Sequence, residues 1–109
     1  FCRVSNSDPA TPSGELTVVE NKKGLTIYGT TQRDAFDGSN GALYALTPPE
    51  TQGDYWTEQT LYKFCLKANC ADGALPYNAG VLNIGGVLYG TTSTGGTQNA
   101  GVVFRFGKN

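Results

Sequence analysis

Short apolar runs rich in β-branched and aromatic residues alternate along this chain with stretches rich in Gly, Pro, Asn and Ser. No apolar spacing of helical period persists long enough to bury one face of a helix, so the pattern predicts strands. Residues 15–20 form the first, bounded by Gly14 and by the turn Asn21-Lys22-Lys23-Gly24. Residues 25–31 form the second and close a hairpin with it. Residues 42–47 form the third, stopped by Pro48 and Pro49, which cannot donate to a ladder. Residues 55–64 form the fourth, with period two placing Trp56, Tyr62 and Phe64 on one face. A second hairpin follows, 81–84 and 87–92 around Gly85-Gly86, and residues 102–106 make a last strand. Residues 5–14, with Pro9 and Pro12, and residues 65–78 are predicted to be irregular.

The pattern occurs twice. Ile27-Tyr28-Gly29-Thr30-Thr31 returns as Leu88-Tyr89-Gly90-Thr91-Thr92, and each copy leads through a polar loop to a second apolar run. That run is Gly41-Ala42-Leu43-Tyr44-Ala45-Leu46 first and Gly101-Val102-Val103-Phe104-Arg105-Phe106 second. Phe1-Cys2 and Phe64-Cys65 align at the edges. Repeated supersecondary units bury their apolar faces on one another. The expected fold is therefore all-β and antiparallel: two propeller-blade-like sheets of about four and three strands, as a propeller fragment or a sandwich. Residues 1–64 make the first unit and residues 65–109 the second, which lacks a counterpart of the fourth strand. Either the chain is cut there, or the edge strand 102–106 is left to pair with another chain.

These residues resemble the bacterial GloVer-type tandem repeat. The second copy carries that family's pattern in Leu88-Tyr89-Gly90-Thr91-Thr92, Gly95-Gly96, Gly101, Val103-Phe104 and Phe106. The connecting segment carries it in Trp56, Glu58, Leu61-Tyr62, Phe64-Cys65, Cys70, Asp72-Gly73 and Pro76-Tyr77. The first copy departs from it: Gln32-Arg33 replaces Thr-Gly-Gly, and Leu43-Tyr44 replaces Val-Phe. The resemblance implies secreted or cell-surface proteins with propeller-like four-stranded sheets, and no catalytic residues to carry over. A propeller closes with about four or more blades, so two units would pack on each other or on further copies.

Composition narrows the function classes. Of 109 residues 15 are Gly, twice the common share, and only 16% are charged against a typical ~25%. Eight basic residues against nine acidic ones leave a net charge of −1 and no stripe for phosphates, which argues against nucleic acid. There is no long apolar run for a membrane span. Starting at Phe1 and containing no Met, the chain reads as a processed product or a fragment.

There is no His, which removes Ser-His-Asp and Cys-His chemistry, and three Cys without His do not make a zinc site. Cys65 and Cys70 are spaced for a local disulfide worth about 2 kcal/mol, with a pair of buried thiols as the alternative. Cys2 is left over, for a buried thiol or a link to another unit. Asp34, Asp37, Glu58 and Asp72 are the carboxylates a glycosidase would need in pairs, but nothing in the sequence brings two together. Residues 34–40 carry oxygen ligands around Gly38 without the final Glu of a calcium loop, and read as a turn.

No catalytic residue, metal or cofactor is expected. The expected function is structural and extracellular: self-assembly by strand complementation at Val102, Val103, Phe104, Arg105 and Phe106, with copies of itself as partners. The alternative is a ligand-binding module with Tyr55, Trp56 and Tyr77 as an aromatic platform for a surface glycan.

Overall fold

A computed structural model of the chain describes residues 9–21, 24–34, 40–76 and 80–107. It is all-β. A four-stranded antiparallel sheet runs in the order β1 (Pro9–Asn21), β2 (Gly24–Asp34), β3 (Ala42–Thr47), β4 (Thr57–Lys63). A three-stranded antiparallel sheet follows in the order β5 (Leu82–Ile84), β6 (Val87–Thr91), β7 (Val103–Phe106). Each sheet is a meander in which every strand pairs with its neighbour in sequence. Among the described residues no helix is long and apolar enough to cross a membrane.

The first hairpin is longer than the sequence predicts. The β1–β2 ladder reaches Pro9↔Asp34 and includes Pro12↔Thr31, although residues 5–14 read as a loop. Both prolines lie on β1, the outer strand of the sheet, and Pro9 is its first residue, positions at which a strand accommodates proline. A register shift between Ser13 and Thr17 absorbs Gly14, whose φ of 85° needs no Cβ. Strand β4 departs in a different way. Its register slips between Leu43↔Tyr62 and Tyr44↔Thr60, leaving Leu61 as the extra residue. Period two therefore breaks at Leu61: Tyr62 shares a face with Leu43, while Thr60 and Glu58 share the opposite face with Tyr44 and Leu46. Trp56 precedes the strand and is exposed, so the predicted stripe of Trp56, Tyr62 and Phe64 does not form.

The repeated motif has a steric cause. Gly29 pairs with Tyr44 and Gly90 with Phe104, and in each pair the aromatic ring lies over the glycine. A Cβ on Gly90 would stand 2.5 Å from Cζ of Phe104, and one on Gly29 would stand 2.6 Å from Cζ of Tyr44. The second threonine of each copy then fixes the start of the third strand. Thr31 Oγ1 accepts the Ala42 N–H at 3.1 Å, and Thr92 Oγ1 accepts the Val102 N–H at 3.1 Å. Gly41 and Gly101, at φ 84° and 95°, pass directly against the carbonyls of Thr31 and Thr92, where a side chain has no room.

The two sheets pack face to face. Side chains directly opposite on paired strands share a face. One face of the first sheet, with Tyr28, Leu43 and Tyr62, meets one face of the second, with Leu88, Phe104 and Phe106. Phe64 and Val81 complete this core. Thr17 donates its hydroxyl to the Val81 carbonyl, tying β1 to the approach to β5.

Candidate assembly edge

Strand β7 is the outer strand of its sheet, and among the described residues it pairs only with β6. Val102 accepts the Thr92 N–H at 2.9 Å and donates to Thr92 Oγ1, so the backbone there faces β6. Alternation turns the N–H and C=O groups of Val103 and Arg105 outward. In the first sheet the equivalent residue, Leu43, directs its backbone at β4 and lies opposite Tyr62. Beside β7 the same place is an open cleft of about 380 Å³, lined by β7 itself and by Leu43, Tyr62, Phe64 and Asp72. Its floor is apolar and its wall is a strand edge whose outward donors and acceptors have no backbone partner among the described residues, which together suit an added β-strand.

The far wall of the cleft is built by the segment joining the two sheets. Cys65 and Cys70 form a disulfide around a short turn of 3-10 helix, Ala68–Cys70. Asp72 closes the same turn: its carboxylate accepts the Leu66 N–H at 3.0 Å and the Lys67 N–H at 3.1 Å. It also accepts the Tyr62 hydroxyl at 2.5 Å, which anchors the turn to the end of β4. Burial works against the Asp72 carboxylate, but the Tyr62 hydroxyl and the backbone N–H groups of Leu66, Lys67 and Asp72 outweigh it and hold its pKa below the ordinary 3.8. Tyr62 moves the other way. Burial, the hydrogen bond to Asp72 and the charge of Asp72 push its pKa up to about 12. Phe64 packs edge-on against both Tyr62, at 5.5 Å between ring centres, and Phe104, at 5.0 Å, and so couples this wall to β7.

The joining segment also binds the two repeat loops to each other. Leu75 donates to the Asn40 carbonyl at 2.8 Å and accepts from the N–H and hydroxyl of Ser93. Ala74 pairs with Thr94 as an isolated bridge, and the Cys70 carbonyl accepts from Gly73 and Gly96. The edge is thus set on a connected backbone network.

Of the residues named from sequence, Cys2, Asp37 and Tyr77 lie outside the described residues. Tyr55 and Trp56 are both exposed beside the start of β4. Val103 and Arg105 are exposed on β7, while Phe104 and Phe106 turn into the core. Asp72 is committed to the turn at the Tyr62 side of the sheet, and Glu58 belongs to the opposite face, so these two carboxylates are not brought together. Among the described residues no cluster of His, Cys, Asp and Glu is arranged to hold a metal ion. Sequence reasoning missed the bond between Tyr62 and Asp72; its only trace was the position of Asp72-Gly73 just after the Cys65–Cys70 loop.

No protein-family model, curated protein or solved structure matches this chain.

Proposed function

We propose that this chain is a non-enzymatic, extracellular structural β-repeat module that assembles with copies of itself by strand addition along β7, into a surface array or filament. The single observation that carries this reading is the combination at β7: an outward-facing backbone at Val103 and Arg105, beside an apolar cleft of about 380 Å³ where the first sheet holds β4. Strand addition supplies main-chain bonds along the edge and fills the cleft with alternate side chains. The disulfide between Cys65 and Cys70 fits an oxidising compartment, and the likeness to GloVer-type repeats supports the cell surface as the setting.

The test is Val103→Pro, which removes an outward N–H and leaves the β6 ladder intact. Self-association of the wild-type chain by sedimentation, lost in Val103→Pro with an unchanged circular dichroism spectrum, supports the reading. A wild-type chain that stays monomeric at high concentration overturns it.

A second reading rests on the exposure of Tyr55 and Trp56 at one end of β4. Paired exposed aromatic rings suit the apolar face of a sugar, and the partner would be a surface glycan. Binding on a glycan array that disappears in Trp56→Ala would favour this reading.

A further inference from the structure

The inward faces of the two sheets are not apolar throughout. Around Leu43, Phe64 and Phe104 large side chains close the space between them. Towards the other end, where β3 stops at Thr47 and the chain turns at Gly85-Gly86, they do not. There the strand register sets Thr26 opposite Val19 and carries Tyr28, Ala45 and Gln59 in one row across the first sheet. Asn83, Leu88 and Phe106 form the facing row across the second. Thr26, Ala45, Thr47, Gln59 and Asn83 therefore stand on faces where alternation calls for large apolar side chains. Sites where a sequence departs from its own folding pattern are where function is expected.

The departure leaves a cleft of about 440 Å³ between the sheets, within the range of small-molecule sites, about 300–1,000 Å³. Ala45 and Leu88 are buried in its lining, with Tyr28, Leu61 and Phe106 half-buried beside them. Thr26, Thr47, Gln59 and Asn83 bring hydroxyl and amide groups to it from both sheets. Gly86 and Gly107 line its exposed end, and a Cβ on Gly86 would meet nothing within 4 Å. No Asp, Glu, Lys or Arg is among the described residues that line it. It shares only Phe106 with the cleft beside β7, and neither Tyr55 nor Trp56 lines it.

This lining selects a class of ligand. A charged molecule would lose hydration there and find no counter-charge. A wholly apolar one would strip water from the amides of Gln59 and Asn83 and offer them no hydrogen bond. A neutral, hydroxyl-rich molecule meets neither cost. Its hydroxyls exchange hydrogen bonds with the amides and threonine hydroxyls, while its C–H face lies on Leu88 and the rings of Tyr28 and Phe106. We propose that the cleft between Gln59 and Asn83 binds a neutral sugar of mono- or disaccharide size. This binding is independent of strand addition at β7.

Isothermal titration calorimetry of the full chain against neutral hexoses and their disaccharides, with glucuronate as the charged counterpart, tests this. Saturable binding of a neutral sugar is expected, with glucuronate bound about tenfold more weakly or not at all. Gln59→Ala and Asn83→Ala are each expected to weaken binding about tenfold. Gln59 is exposed, so its variant keeps the fold, which circular dichroism checks. Val103→Pro is expected to bind as the wild type does. A panel in which no neutral sugar binds overturns the proposal. So does sugar binding that survives in both Gln59→Ala and Asn83→Ala; if Trp56→Ala abolishes it instead, the sugar belongs to the exposed aromatic pair. None of these outcomes bears on self-association, which sedimentation of the wild type and Val103→Pro reads separately.

Discussion

Leu43 and Val103 occupy the same position of the repeat, yet Leu43 is 0% exposed and Val103 is 78% exposed. Both pair with the first threonine of a Tyr-Gly-Thr-Thr run, Leu43 with Thr30 and Val103 with Thr91. The difference lies in what surrounds them. Leu43 has β4 on its far side and the second sheet over its face, whereas Val103 has neither among the described residues. The proposed strand addition at β7 would cover the second copy as β4 covers the first. Val103→Asp is therefore expected to leave the folding of the isolated chain within about 0.5 kcal/mol, as surface substitutions do, while Leu43→Ala costs about 2–5 kcal/mol. Urea unfolding of the two variants checks the contrast.

The Gly90–Phe104 and Gly29–Tyr44 pairs predict that the glycines tolerate no side chain. A Cβ at Gly90 would also stand 3.1 Å from Cγ1 of Val81, so both neighbours would have to give. Gly90→Ala is expected to destabilise the chain by about 1–3 kcal/mol through overpacking. Gly90→Ala combined with Phe104→Leu relieves the clash, and a double-mutant cycle in urea would show a favourable coupling between the two changes.

The joining turn predicts a pH dependence at both extremes. Asp72 has a lowered pKa in the folded chain, so its contribution is present above the ordinary carboxylate value and is lost as pH falls through the folded one. Tyr62, raised to about 12, contributes below its ordinary 10.0 and loses that contribution as pH rises between the two. Denaturation midpoints against pH are expected to fall at both ends. Asp72→Asn flattens the acid limb, and Tyr62→Phe removes its share of the alkaline one.

Cys65 and Cys70 close a short loop, which limits what their bond contributes. Cys65→Ser with Cys70→Ser is expected to lower stability by about 2 kcal/mol in the chain-entropy estimate, with the sheets retained. Circular dichroism with and without reductant measures this directly.

The strands of the second sheet and the repeat itself were legible from sequence because each copy states its own constraints: glycine under an aromatic ring, threonine on the next strand's N–H, glycine against a carbonyl. Three features were not. Pro9 and Pro12 disguised the start of β1, since local propensity says nothing about which strand is outermost. The slip at Leu61 reversed the faces of β4, and a bulge leaves no mark in an alternating pattern. The Tyr62–Asp72 bond, and with it the wall of the cleft, depends on a turn whose path the spacing of two cysteines did not fix.

Sedimentation velocity of the purified wild-type chain over a wide range of concentration, with Val103→Pro run beside it, tests strand addition at β7 most directly. Growth into larger species with the wild type, and a single monomeric boundary with Val103→Pro, is the predicted result. A wild-type boundary that remains monomeric at every concentration would contradict it.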